Sequence, residues 1–175
     1  MSKTVGVLDK FAADYDRLYS SVSIKNLWKD QKNIHQVWDI SKDEEGNFSV
    51  DVIVNNEGGS TVGGLYRWRD VTGIIADHEV NEEDKVYLYA GKATPGSSSI
   101  GGRNSSHRKS ILGQTSEATG PQVHAYMKKK KLSTLRICIQ FIDLTDYNQE
   151  HMISILEEKT IETFQTPFNK ENRSK

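Results

Sequence analysis

Apolar positions recur along this chain at helical spacing in some stretches and with strand-like alternation in others. Residues 7–22 set Leu8, Phe11, Tyr15 and Leu18 at helical spacing, with Asp9, Lys10, Asp14 and Asp16 around the rest of the turn, which predicts an amphipathic helix. The less regular SIKNLWKDQKNI places Ile24, Leu27, Trp28 and Ile34 on one side and predicts a second short helix; either segment also suits a dimer contact. From Gln36 the period shortens. VWDIS, the turn KDEEGN and FSVDVIV, with Phe48, Val50, Val52 and Val54 alternating, predict a β-hairpin. Asn55 to Ser60 is a loop.

GGLYRWR, residues 63–69, predicts a strand with Tyr66 and Trp68 on one face and Leu65 and Arg67 on the other. The connection 71–84 is long and acidic towards its end, either a functional loop or an inserted element. A second strand opens at Val86, with Val86, Leu88 and Ala90 alternating against Tyr87, Tyr89 and Gly91, and breaks into a Gly/Ser-rich loop. SSHRKSIL predicts a helix capped by Asn104 or Ser105, with Arg103 just before or in its first turn. GQTSEATG, residues 113–120, is loop, and Pro121 suits the first turn of a helix that carries Val123, Tyr126 and Met127 and ends in Lys128 to Lys131. TLRICIQFI predicts a third strand, with Leu135, Ile137, Ile139 and Phe141 on one face and too few apolar partners on the other for full burial. Asp146 with Gln149 is a capping signature that starts the last helix.

Composition narrows the class. The chain has 175 residues, 35% hydrophobic and 27% charged, enough for one globular domain with an elaborated terminus. Its formal net charge of −1 gives no global bias towards nucleic acid, so a polyanion site must be a local patch. The one cysteine, Cys138, sits in an apolar run, which predicts no disulfide framework and suits a reducing cytosol. No stretch reaches membrane-spanning length and the N-terminus lacks an apolar signal core, so the expectation is a soluble, cytoplasmic protein with no membrane partner.

Candidate chemistry concentrates between Lys85 and His107, where Tyr89, Lys92, Arg103 and His107 supply a phenol, an ammonium, a guanidinium and an imidazole. Singly, each is ordinary: strand tyrosines pack, and a surface Arg or His is often only solvated. Glu157 is less ordinary. Ile153, Ile161 and Phe164 lie at −4, +4 and +7 from it, which puts its carboxylate near the middle of an apolar helix stripe. A carboxylate there is costly unless paired, protonated or bound to a metal. The lysines 128–131 fit a solvated helix end or a phosphate-tracking surface. His78 and His124 have no zinc-like spacing.

The ordered set Gly64-Leu65-Tyr66, Tyr89-Ala90-Gly91 followed by Lys92, Arg103-x-x-x-His107, Glu157 and Pro167-Phe168-Asn169 resembles the GIY-YIG nuclease family. The resemblance runs over roughly residues 62–170. Ala90 replaces the commoner Ile, and Tyr66 stands farther from Tyr89 than in compact members, which looks like the type II restriction endonuclease branch. The resemblance implies an α+β fold: a three-stranded antiparallel sheet flanked by helices, forming a catalytic core over residues 61–175. Residues 1–60 would be an N-terminal helix and hairpin elaboration for dimerisation or DNA contacts.

It further implies sequence-specific endonucleolytic hydrolysis of double-stranded DNA with Mg²⁺ or Mn²⁺, by a homodimer. Glu157 would ligate the metal, and Tyr66 would take the proton of the attacking water, with Lys92 as the neighbouring cation. Tyr89 would hold the water or phosphate, Arg103 would stabilise phosphate charge, His107 would bond the nucleophile network or the phosphate, and Asn169 would fix the local geometry. The alternatives are a phage-type or homing-like nuclease and a non-catalytic DNA-binding module.

Overall fold

The computed structural model describes residues 21–29, 33–74, 80–94, 98–146 and 150–169. The helix expected over 7–22 falls almost wholly outside these residues, as do His78, Gln149 and the basic tail. In chain order the elements are α1 (Ser21–Lys29), β1 (Asn33–Lys42), β2 (Phe48–Asn55), β3 (Gly64–Asp70), β4 (Val86–Ala93), α2 (Ile100–Ile111), α3 (Thr119–Lys130), β5 (Thr134–Asp143) and α4 (Glu150–Phe164). The short helix expected near residue 24 is therefore α1, but Ile34 has left it and belongs to β1.

The sheet has five strands, in the order β2-β1-β5-β3-β4, with every pairing antiparallel. This corrects the expectation of a three-stranded sheet. The hairpin β1–β2 is not an appendage, because β1 hydrogen-bonds along β5, setting Trp38 opposite Ile137 and Ile40 opposite Leu135. Its apolar face thereby continues the core formed by β3 and β5. Pairing on both edges makes β5 the central strand, and on its second face Cys138 and Ile142 are buried while Arg136 is exposed and Gln140 half-buried, the incomplete burial expected.

One sheet face carries Trp38, Tyr66, Trp68, Ile137 and Ile139 and is covered by Ile100 and Ile111 of α2 and Val123 and Met127 of α3. The opposite face, with Leu65 and Ile142, is covered by Ile24, Leu27 and Trp28 of α1 and Met152, Ile153 and Leu156 of α4. A hydrogen bond from Trp28 Nε1 to Thr160 Oγ1 ties α1 to α4 (3.1 Å). Also on this face, the Arg67 guanidinium is 4.5, 4.0 and 4.7 Å from the rings of Trp28, Tyr87 and Phe164. Its Nε donates to Gln140 Oε1, and burial lowers its pKa to about 10.

Strand β4 departs from simple alternation. Trp68 pairs with Tyr89 but the next residue, Arg69, pairs with Tyr87, so Leu88 is the extra residue of a β-bulge. Tyr87 consequently lies with Arg67 and Phe164 on the second face, whereas Tyr89 joins Tyr66 and Trp68 on the first. Unbroken alternation would have put both tyrosines on one face.

Candidate functional site

Tyr66 comes from the middle of β3 and is fully buried. Its ring lies across Gly91 of β4, its direct cross-strand partner, where an added Cβ would stand 2.5 Å from both Cζ and the phenol oxygen. The Gly91 position thus has a steric reason: only a residue without a side chain leaves room for the phenol.

Helix α2 approaches the same face. Its N-cap is Ser99, whose side chain accepts from the Gly102 amide, and not Asn104 or Ser105. Arg103 and His107 therefore both lie inside the helix, four residues apart and on one side. Asn104 is spent on anchoring: it accepts from Trp68 Nε1 (2.9 Å) and donates to the Ile100 carbonyl (2.9 Å). With the helix so held, His107 Nε2 stands 2.8 Å from the Tyr66 phenol oxygen, and Nδ1 stands 2.8 Å from Thr119 Oγ1 at the start of α3. The positive charge of Arg103 acts on the Tyr66 phenol, and its Nη1 is 3.7 Å from Glu117. Tyr89 packs beside them, its ring centroid 6.1 Å from that of Tyr66 and 5.0 Å from that of His107.

Asn169 lies behind this cluster. Its Oδ1 accepts from the Ala90 amide (2.8 Å), its Nδ2 donates to the Ala90 carbonyl (2.9 Å), and Thr166 Oγ1 donates to the same Oδ1 (2.7 Å). β4 is an edge strand, so these outward-facing backbone groups would have no ladder partner without the amide. The expected geometric role of Asn169 has this concrete form: one side chain clamps the peptide between Tyr89 and Gly91.

Glu157 is half-buried on α4, beside the buried row of Met152, Ile153, Leu156, Thr160 and Ile161 and not at its centre. Its charge acts on both Tyr66 and Tyr89. Lys92 differs from the sequence reading. On β4 it pairs with Leu65, and its Nζ donates to Ser154 of α4, so the cation whose charge acts on the Tyr66 phenol is Arg103.

The electrostatics of the cluster favour neutral groups at rest. Burial, with Tyr89 and Glu157 adding to it, pushes the Tyr66 pKa well above the usual phenol value, against the opposing pull of Arg103. Tyr89 moves the same way, again mainly through burial. His107 is driven down to about 3 by burial and by the positive charge of Arg103, so it is a neutral imidazole near pH 7. A phenol that holds its proton can donate it in a hydrogen bond to the lone pair of a neutral imidazole.

Among the described residues no group of three or more His, Cys, Asp and Glu side chains forms a metal cage. A single carboxylate suits a hard cation such as Mg²⁺, which keeps several waters and takes its other ligands from phosphate oxygens. A cavity of about 770 Å³ beside α1 and α4 is lined by Lys25, Trp28, Arg67, Tyr87 and Phe164 and includes none of the seven sequence-predicted residues. Thr119, Asn104 and Thr166 are site residues that the sequence reading missed. Asn104 had been weighed only as a cap, and Thr119 lies in a segment whose polar composition reads simply as loop.

Among the described residues no helix is long and apolar enough to cross a membrane. No family model, curated protein or solved structure matches this chain.

Proposed function

We propose that this chain is a Mg²⁺-dependent endonuclease of double-stranded DNA, resembling the type II restriction branch of the GIY-YIG nucleases and acting as a homodimer. The observation that carries this reading is the gathering of Tyr66, Tyr89 and His107 into one packed cluster, with Tyr66 hydrogen-bonded to His107, on which the charges of Arg103 and Glu157 act. Tyr66, Tyr89 and His107 come from β3, β4 and α2 and meet on one face of the sheet, and Glu157 comes from α4.

In the proposed reaction a water beside Tyr66 loses a proton to the phenol oxygen while the phenol proton passes to His107 Nε2. The resulting hydroxide attacks phosphorus, the phosphorus–oxygen ester bond breaks, the leaving oxygen takes a proton from solvent, and His107 returns the proton it holds to solvent. Arg103 donates to the phosphate oxygens as charge builds on them, a role suited to its fixed fork of N–H groups. Tyr89 orients the water or phosphate. Glu157 would hold the cation, which would supply charge neutralisation at the phosphate. Asn169 and Gly91 keep the β4 backbone where the two phenols need it. One such centre cuts one strand, so two centres related by a dimer axis would cut both.

Incubation of the protein with a mixture of phage and plasmid DNAs, with Mg²⁺ or with EDTA, tests this reading. Discrete fragments formed only with the metal support it, and intact DNA under every condition overturns it.

A further inference from the structure

Both ring nitrogens of His107 are engaged, Nε2 with the Tyr66 phenol and Nδ1 with Thr119 Oγ1, each at 2.8 Å. A neutral imidazole has one N–H and one lone pair, so its partners decide which nitrogen carries the proton. The two partners are unequal. A phenol O–H is a far stronger donor than an aliphatic hydroxyl, and an imidazole lone pair is a better acceptor than the oxygen of a second phenol. The Tyr66 O–H therefore goes to Nε2, and Nδ1–H to the threonine oxygen.

Thr119 is built into place for that role. It is 2% exposed and is the first residue of α3. The next residue, Gly120, donates its amide to Ser110 Oγ (3.0 Å), and a Cβ at Gly120 would stand 2.3 Å from the Ser110 carbonyl oxygen. Ser110 Oγ also donates to the Glu117 carbonyl. The start of α3 is thus pressed onto the end of α2, one turn beyond His107, and the threonine hydroxyl cannot drift from the ring.

We propose that Thr119 is a positioning residue that fixes His107 as its Nδ1–H tautomer, leaving the Nε2 lone pair open to the Tyr66 proton. Its catalytic consequence rests on the nuclease reading above. With the acceptor at Nδ1 removed, the ring is free to present an N–H to Tyr66, and the phenol proton then has no place to go.

The test is long-range ¹⁵N–¹H correlation on the full chain with ¹⁵N-labelled histidine at neutral pH, His107 being assigned by its loss in His107→Gln. The wild type is expected to show a protonated Nδ1 and a bare Nε2 at His107. Thr119→Ser should keep that pattern, and Thr119→Val should lose it, in favour of Nε2–H or a mixture. In DNA cleavage Thr119→Val should lower kcat by about 10²-fold or more with KM unchanged, and Thr119→Ser should restore most of it. A wild-type His107 protonated at Nε2, or an unchanged tautomer in Thr119→Val, overturns the proposal. If the tautomers behave as expected but the wild type cuts no DNA, the assignment of Thr119 stands and the nuclease reading falls.

Discussion

Asn169 closes both hydrogen bonds of Ala90, accepting from its amide at 2.8 Å and donating to its carbonyl at 2.9 Å across 79 residues of sequence. The contact joins the C-terminal turn to the strand that carries Tyr89 and Gly91, and it satisfies backbone groups on the free edge of β4. Asn169→Ala leaves two buried backbone groups and Thr166 Oγ1 without this partner. The expected cost is about 1–3 kcal/mol per unsatisfied group at most, read as a fall of several degrees in Tm by thermal unfolding. Cleavage should fall further than the loss of folded protein explains, because the Tyr89–Gly91 backbone is then free to move.

Gly91→Ala tests the steric reading of the same strand. A Cβ placed 2.5 Å from the Tyr66 ring has no flexible neighbour to displace except that phenol, which is itself fully buried. Overpacking of this kind costs about 1–3 kcal/mol, and a shift of the phenol by ~1 Å is enough to cost about 10²-fold in rate. Circular dichroism should show a folded protein of slightly lower Tm, and a cleavage assay should show activity lost out of proportion. Normal cleavage by this variant would show that the Tyr66 position is not critical.

His107 gives a pH prediction with a definite sign. Its folded-state pKa is lowered to about 3 from an ordinary 6.5, by burial first and Arg103 second. Between those values the unfolded chain binds a proton that the folded protein refuses. The stability contributed by the neutral imidazole is therefore complete above pH 6.5 and is lost as pH falls towards 3. At pH 4.5 the loss from this one group is roughly 3 kcal/mol, or about 5–10 °C in Tm for a chain of this size. His107→Gln removes the titrating group. Comparing the Tm change from pH 7.5 to 4.5 in the two proteins isolates the effect, and the variant should lose less.

Much of the fold was legible from alternation and turn chemistry: the hairpin around KDEEGN, the GLYRWR strand, the β5 strand and the late helix all lie where period and turn residues put them. What period cannot give is pairing between distant strands. The antiparallel match of β1 with β5 depends on Trp38 and Ile40 meeting Ile137 and Leu135 across about a hundred residues, and no local pattern records it. The bulge at Leu88 was hidden for a related reason, since a single added residue changes the faces of Tyr87 and Tyr89 without changing composition. Among site residues, Tyr66, Tyr89, Arg103 and His107 were visible because reactive side chains stood at recognisable intervals. The partner of each was not. Lys92 looked like the cation near Tyr66, but cross-strand register turns it towards Ser154, and helical spacing brings Arg103 to the phenol instead.

The central claim is that the Tyr66–His107–Arg103 cluster and Glu157 form one hydrolytic centre. The most direct measurement follows nicking and linearisation of a supercoiled plasmid with Mg²⁺ by the wild type, Tyr66→Phe and Glu157→Gln, each first shown to be folded and to bind the DNA. The account predicts cleavage by the wild type, lost on adding EDTA, and a fall of about 10³-fold or more in each variant with binding retained. Cleavage by both variants at near wild-type rate, or none by the wild type, would contradict it.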